Sequence, residues 1–501
     1  MSYTCLHKLY YNVNMYINYI KLRELLEGSC KYDLDKTINI IFYIRDCRNG
    51  KGLREIGRLC YQWLLFNYPD EFKEVLHYIP NVGRWDDLYS VFPRRTYDIN
   101  LSWIIQNNNE HPTKEKILKI IECQQTAVQI YIERLKDDLI NIKQNERTSL
   151  ASKWAVTEKS SLNRKFKFVN VTCNQWGITK KQYRQYISKL RKSSYSIERI
   201  LTNRQYNQVQ FSRIPKMALI KYKNVLFEKE QDRFMIYLSF VKLKRDIFDV
   251  KKYTPFDIVM QYNRLLETTL DCEVNDKVED EWDKIVLEAN ARNIFKNSTC
   301  ILDTTGSMYQ QKISNLFIDN KLPINIGVAF SILIARCTNK PFNNIVMNFS
   351  KQSEYIFLRK DETLHESMEK ILNFQSDEKL NLKKILEKIL ETTNFNNKIG
   401  MIKNIVVFSD KPISKTVENF KDIIKEVYDK KYSIYDFKIP DILYFNINTG
   451  DIQFNIYNTD YNEITEISGF SYEIFREFLR IGEIKTSKIL SSFESKYFLK
   501  A

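Results

Sequence analysis

At residue 296 the hydrophobic pattern of this chain changes its period, and that change bounds what the chain can fold into. Before it, apolar residues recur with the period of helices; after it, short continuous apolar runs alternate with helical segments. "DKTINIIFYIRDCRNGKGLREIGRLCYQWLLFNYPDEF" is helical on both sides of "RNGKG", where Gly50 and Gly52 permit backbone angles that other residues avoid. "HYIPNVGRWDDLYSVF" predicts a turn at Pro80 and Gly83, then a helix. Residues 145–176 read as a polar connector, and residues 180–250 return to helix with a break near Pro215. Short helices joined by tight turns predict an α-helical, solenoid-like region over residues 1–295.

From 296 to 501 the strands "STCILD", "NNIVMNFS", "SEYIFLR", "KNIVVFSD", "DILYFNIN" and "EITEISGFS" are interleaved with helices. The helices are "PINIGVAFSILIARCTN", "LNLKKILEKILETT" and a single long one, "ISKTVENFKDIIKEVYDKK". That alternation predicts an α/β doubly wound domain with a mostly parallel sheet. "CEVNDKVEDEWDK" reads as a polar stretch ahead of it. The chain is thus multidomain, as 501 residues would require.

No apolar run approaches the roughly 18 residues of a membrane span. The N-terminus lacks the basic start and apolar block of a signal peptide. A cytoplasmic protein with no membrane partner is expected. The nine cysteines contain no C-x-x-C pair, and Cys60 and Cys337 sit in apolar contexts, so buried free thiols are expected. His7, His77, His111 and His365 share no helical spacing, which argues against zinc.

Charge is unevenly placed. Residues 1–300 hold 50 Lys/Arg against 36 Asp/Glu, while residues 301–501 hold 27 against 26. Between Thr179 and Lys223 lie 12 basic residues and one acid, Glu198. Such a concentration attracts phosphates, although a solvated helical surface has the same composition. Arg45, Arg48, Lys51 and Arg54 flank the glycine turn. Arg184, Lys189, Arg191, Lys192, Arg199 and Arg204 lie in the densest basic stretch, interleaved with Tyr183, Tyr186, Tyr195 and Tyr206. These tyrosines would either stack on unpaired bases or form helix cores. Trp63, Trp85 and Trp154 read as core anchors, and Arg84 with Asp86 or Asp87, like Arg45 with Asp46, as locks on turns.

In "CILDTTGSMYQ" a strand ends in Asp303, followed by Thr305 and Ser307 at alternate positions. Three chemistries fit. Asp303, Thr305 and Ser307, completed by Asp410 after "IVVFS", would supply hard oxygen ligands for Mg²⁺ or Mn²⁺. An aspartyl-phosphate enzyme would use the same loop, but needs a lysine and further carboxylates; only Asp410 and Lys411 are at hand. Or Asp303 and Thr305 simply cap the turn.

Asp303, Thr305, Ser307 and Asp410 match the first and third motifs of the von Willebrand factor A domain, which the C-terminal part resembles. In that family these motifs form a metal-ion-dependent adhesion site, with one metal position open for a partner's carboxylate. The second motif departs: in "SDEKLNLKKILEKIL", Leu380 stands where the family has threonine, and Ser376 is the nearest substitute. The resemblance therefore implies a degenerate Mg²⁺ or Mn²⁺ site. "RDCRNGKGLREIGRLCYQWLLFNYP", "IPNVGRWDDLYSVF", "ASKWAVTEKSS", "YRQYISKLRKSSYSIERILTNRQYNQVQFSRIPKMALIKY" and "SGFS" resemble a family found in plants, fungi and large DNA viruses. Its helical part is similar to the TROVE module of Ro autoantigen proteins, a stack of HEAT-like helices that binds RNA. The resemblance implies a non-enzymatic binding protein. Its basic helices would engage structured RNA, and its A-like domain, residues 296–501, a protein partner. The alternative is a structural or protein-interaction protein without a nucleic-acid role, in the host cytoplasm or in a virion.

Overall fold

A parallel strand is covered on both faces, so its sequence is apolar without alternation. The strands after residue 296 are, in order, β1 (Ser298–Leu302), β2 (Ile345–Asn348), β3 (Tyr355–Phe357), β4 (Asn404–Ser409), β5 (Asp441–Asn446), β6 (Gln453–Asn458) and β7 (Glu463–Ser468). Inner strands obey this rule most clearly at β1, β2, β4 and β5. Every residue of β1 and β2 is buried, and all but the first of β4 and β5. The structure, a computed structural model, describes residues 5–14, 17–47, 50–92, 113–194, 197–214, 216–243, 254–266, 272–310, 323–374, 376, 379–393, 402–417, 419–447 and 452–481. It shows a mostly helical N-terminal region followed by a mixed strand and helix region.

The sheet order is β3-β2-β1-β4-β5-β7-β6. The five inner strands run parallel, while β3 and β6 are antiparallel edges. Register places Ile301 beside Val407, and Val407 beside Tyr444. Helix Pro323–Cys337 is buried along nearly its whole length. Gly327 lets it sit close to the sheet, because a Cβ there would strike Leu302. On that face Phe330, Phe408, Phe445 and Phe475 stack, with Phe408 and Phe445 only 6° from parallel at 5.3 Å. On the other face Ile385, Leu386 and Ile389 of helix Leu382–Thr392 pack with Ile405, Val407 and Tyr432.

Two compact units divide the chain: residues 13–247, and residues 1–12 with 248–500. The sheet unit thus includes helix Cys5–Asn12, whose Tyr11 ring lies 5.9 Å from Phe454. Asn12 Oδ1 accepts from the Ile452 N–H at 2.8 Å. The "CEVNDKVEDEWDK" stretch, expected to be a polar lead-in, forms part of helix Cys272–Ala291. It buries Val278, Trp282, Ile285 and Ala289 at helical spacing, a stripe its carboxylates obscured. The long helix expected over "ISKTVENFKDIIKEVYDKK" is broken instead. Helix Ile413–Thr416 ends at an extended Val417, and Asn419 takes a left-handed φ of 50° before helix Phe420–Val427.

In the helical unit, Asp33 ends helix Tyr19–Tyr32 and caps helix Leu34–Arg45, its Oδ1 accepting from Lys36 N–H at 2.9 Å. The glycine turn that follows returns into helix Arg54–Asn67. Gly52 adopts φ +70°, and Gly50 lies so near the Tyr43 carbonyl that no Cβ would fit. Within 145–176 the chain forms a 3₁₀ turn, Ala151–Trp154, and helices Ser161–Phe166 and Phe168–Trp176.

Candidate functional site

Asp303 follows β1 and is fully buried. Its Oδ1 accepts from Thr305 N–H at 2.8 Å, and its Oδ2 from Ser409 Oγ at 2.7 Å. Thr305 Oγ1 and Ser307 Oγ lie 3.1 Å apart, and Ser307 Oγ donates to Asp410 Oδ1 at 2.9 Å. All four residues therefore meet at the carboxyl ends of β1 and β4. Asp410 is 6% exposed, and its Oδ2 is buried with no hydrogen-bond partner. A buried carboxylate oxygen without a donor is costly, and a cation or water would relieve it. Burial pushes the Asp303 carboxyl up; hydrogen bonds from Thr305 and Ser409 oppose this, and the nearby Asp410 adds to it. The unpartnered Asp410 oxygen fits a hard cation held by two carboxylates and two hydroxyls. Among the described residues, no group of three or more His, Cys, Asp and Glu is placed to hold a metal.

Leu380 is 6% exposed and belongs to the core packed against the sheet, so it offers no ligand. Ser376 does reach the loop, but it meets Thr304: its Oγ accepts from Thr304 N–H at 2.8 Å and lies 2.7 Å from Thr304 Oγ1. The sequence pattern did not single out Ser409 or Thr304. Both carry the hydroxyl signature of the loop, but neither falls on its alternate positions.

The basic residues divide into engaged and free. Arg48 lies outside the described residues. Lys51 Nζ donates to the Val13 carbonyl at 2.8 Å. Arg54 Nη2 donates to Asp86 Oδ2 at 2.7 Å. That contact is the rim of a buried ionic cluster. Arg45 Nε and Nη2 donate to Asp87 Oδ2 at 2.9 and 2.5 Å, and Arg58 bridges Asp87 Oδ1 and Asp86 Oδ2 at 2.7 and 2.8 Å. Arg45 thus pairs with Asp87, 42 residues away, and not with its neighbour Asp46 as the sequence suggested. Gly57 makes room, since a Cβ there would come within 2.7 Å of Arg45 Cβ. Arg84 contributes its backbone N–H to Asp87 and lays its guanidinium 5.4 Å from the centre of the Trp154 ring.

Helix Lys180–Ser193 begins with a capping box, Thr179 with Gln182. It buries Tyr183, Ile187 and Leu190. Lys181, Arg184, Ser188 and Lys192 share another stripe at helical spacing, and all four are exposed. Arg184 pairs with Glu158 at 3.2 Å. Lys181, Lys189 and Lys192 have no side-chain partner among the described residues. Arg191 is engaged, with Nε on the Ser152 carbonyl at 2.8 Å and Nη2 on that of Ala155 at 2.9 Å. Arg199 Nη1 donates to the carbonyls of Arg191 and Lys192 at 2.7 and 2.6 Å, closing the C-terminal turn of the helix. Arg204 is exposed at a left-handed φ of 56°. Tyr183 is buried, Tyr186 stands against Trp176 at 5.6 Å, Tyr206 is half-buried, and Tyr195 lies outside the described residues.

The "ASKWAV" motif acquires a physical meaning here. Tyr131 donates to the Ala151 carbonyl at 3.0 Å, Tyr89 to that of Trp154 at 3.1 Å and Tyr183 to that of Val156 at 2.9 Å. Arg191 takes those of Ser152 and Ala155. Burial pushes all three tyrosine hydroxyls up, so they remain protonated donors. Five carbonyls in six residues are pinned, and the following residues Val156 to Lys159 form one wall of a hollow. The opposite wall is helix Lys180–Ser193 with Arg199, and the volume is about 530 Å³.

These contacts separate two kinds of arginine and lysine change. Arg199→Ala is expected to cost about 1.5–3 kcal/mol, the range for hydrogen bonds from a charged donor. Lys192→Ala should stay within about 0.5 kcal/mol, as an exposed unpaired side chain. Urea titration of the two variants followed by circular dichroism checks this; equal losses would contradict it.

Residues 297–497 match a family model described as a domain of unknown function, DUF7788. Residues 171–293 match another, DUF2828. A protein of Acanthamoeba polyphaga mimivirus, described as "Uncharacterized protein L728", is 23% identical over 491 residues, covering 93% of this chain and 80% of that protein. Among solved structures, the crystal structure of Deinococcus radiodurans RO (RSR) protein aligns with 92% of this chain and 90% of its own, at 12% identity and a TM-score of 0.37. No helix among the described residues is long and apolar enough to cross a membrane.

Proposed function

We propose that this chain is a non-enzymatic binding scaffold with two ligands. The basic helical unit, HEAT-like in the manner of TROVE modules, engages structured RNA. The α/β unit, of von Willebrand A type, holds Mg²⁺ or Mn²⁺ and docks a protein partner. The observation that carries the RNA reading is the exposed cationic stripe of helix Lys180–Ser193 beside a preformed hollow. Among the described residues its Lys181 and Lys192 have no carboxylate partner, so a phosphate backbone there would displace only counterions. Arg54, Arg191 and Arg199 support the surface from within, and Arg204 extends it.

In the α/β unit, Asp303 and Asp410 would supply the charge, with Thr305 and Ser307 as hydroxyl ligands. The metal, when bound, supplies a Lewis-acidic point able to take a partner's carboxylate. The sheet order and the position of the loop at the carboxyl ends of β1 and β4 support this.

Titration with mixed structured RNA at 50 and 200 mM salt tests the reading. About three phosphate contacts predict a roughly 20- to 40-fold weakening across that range. Binding should exceed that to duplex DNA of equal charge. Salt-insensitive binding, or none, would leave a protein-interaction role as the better account.

A further inference from the structure

We propose that the hollow beside helix Lys180–Ser193 is a subsite for one unpaired nucleotide, with its phosphate at the Lys192 and Arg199 end and its base against Val156 and Ile187. This deepens the RNA reading above and rests on it. The volume, about 530 Å³, lies within the range of small-ligand pockets, roughly 300–1,000 Å³. The lining is divided by chemistry. Val156 and Ile187 are 6% and 5% exposed and make an apolar floor suited to the face of a base. At one end, Lys192 has no side-chain partner among the described residues. There too, Arg199 Nε is buried without an acceptor, although its Nη1 is committed to the helix end. An N–H left over beside a free ammonium is what a phosphate oxygen requires. At the other end, two helical turns away, the Arg184–Glu158 pair closes the rim. Its carboxylate disfavours a phosphate there and so orients the nucleotide. Lys159, without a side-chain partner among the described residues, also lines the hollow.

The pinned backbone explains why such a hollow persists without a ligand. In the wall itself the Val156 carbonyl accepts from Tyr183, that of Thr157 from Ser160 N–H, that of Glu158 from Asn163 Nδ2 and that of Lys159 from Arg164 Nη2, so the wall is fixed before binding and little ordering entropy is lost on it. A recess this size admits a base splayed from a single strand, not one paired in a helix.

The experiment uses the full chain, a fluorescein-labelled 12-nucleotide unstructured RNA and a 12-base-pair RNA duplex, read by fluorescence anisotropy. Ser188→Trp places an indole in the hollow between Arg184 and Lys192 and removes no charge. Single-strand affinity should fall about tenfold or more, and clearly further than duplex affinity, which loses only what the indole costs on the shared surface. Lys192→Gln should flatten the single-strand salt slope by roughly 0.7, the value for one lost phosphate contact. If Ser188→Trp melts earlier than the parent, Lys192→Gln decides, and an unchanged slope overturns the subsite. Equal loss on both RNAs, or none on either, overturns the subsite and spares RNA binding. A parent chain that binds neither RNA overturns both.

Discussion

Asp87→Ala is expected to remove about 3–5 kcal/mol from the helical unit, the cost of leaving a buried charge without its partner. Arg45 is 2% exposed and Asp87 fully buried, so water cannot replace the lost carboxylate. Three donors lose their acceptor at once: Arg45, Arg58 Nε and the Arg84 N–H. Because whole domains are stable by only about 5–15 kcal/mol, the variant stands near the unfolding threshold. Asp87→Leu combined with Arg45→Met should lose clearly less, since it removes the charge with its partner. Hydrogen exchange at amides of helices Leu34–Arg45 and Arg54–Asn67 reads the effect locally, which matters in a chain with two units. A loss below about 1 kcal/mol would mean that solvent reaches Arg45.

Mg²⁺ at a hundred times its dissociation constant should stabilise the α/β unit by about 2.7 kcal/mol. For a unit of this size that is a rise of roughly 5–10 °C in melting temperature. Asp410→Ala should abolish the rise, because it removes both the ligand oxygen and the unpartnered one. Asp303→Asn should abolish it too, yet raise the melting temperature in EDTA. The buried Asp303 carboxyl is held above its ordinary value, chiefly by burial. The folded state therefore binds that proton more tightly than the unfolded state. In EDTA its contribution to stability is lost as pH rises from the ordinary carboxylate value through the raised one. The Mg²⁺-dependent gain runs the other way, and shrinks as protons compete for the same oxygens. Differential scanning fluorimetry with and without EDTA checks each arm; no Mg²⁺ shift in the parent would sink the metal reading.

The inner strands were legible because burial on both faces leaves an unbroken apolar run, as in "IVVF" of β4. Edge strand β6 was not, since Gln453, Asn455 and Ile456 are exposed and its pattern resembles a loop. The left-handed break at Asn419 was hidden because an asparagine in a lysine-rich amphipathic run looks like any polar helix position. At the site, Asp303 and Asp410 could be read as strand-end carboxylates from local pattern alone. Ser409 and Thr304 could not, because their partners, Asp303 and Ser376, are brought to them only by the fold. The partner of Arg45 was hidden for the same reason, by 42 intervening residues. The five pinned carbonyls of "ASKWAV" are backbone atoms, which no side-chain pattern encodes.

The sheet unit takes its first helix, Cys5–Asn12, from one side of the helical unit and the rest of its chain from the other. Ser471 Oγ donates to the Tyr11 carbonyl across 460 residues of sequence. On the ribosome, Cys5–Asn12 therefore emerges ahead of the helical unit and waits until the residues after 247 have followed it. Residues 13–247 can complete their own core meanwhile, while the surface that receives Tyr11 is not yet made. A contact of such long range forms late in folding, after a slow closure. Cutting the chain at residue 296 to obtain the sheet alone would discard that helix together with the buried Trp282 and with Phe256, and would bare Phe330 and Phe475, against which Phe256 packs. A fragment beginning near 248, with residues 1–12 supplied as a peptide, is the division that respects how the molecule is assembled.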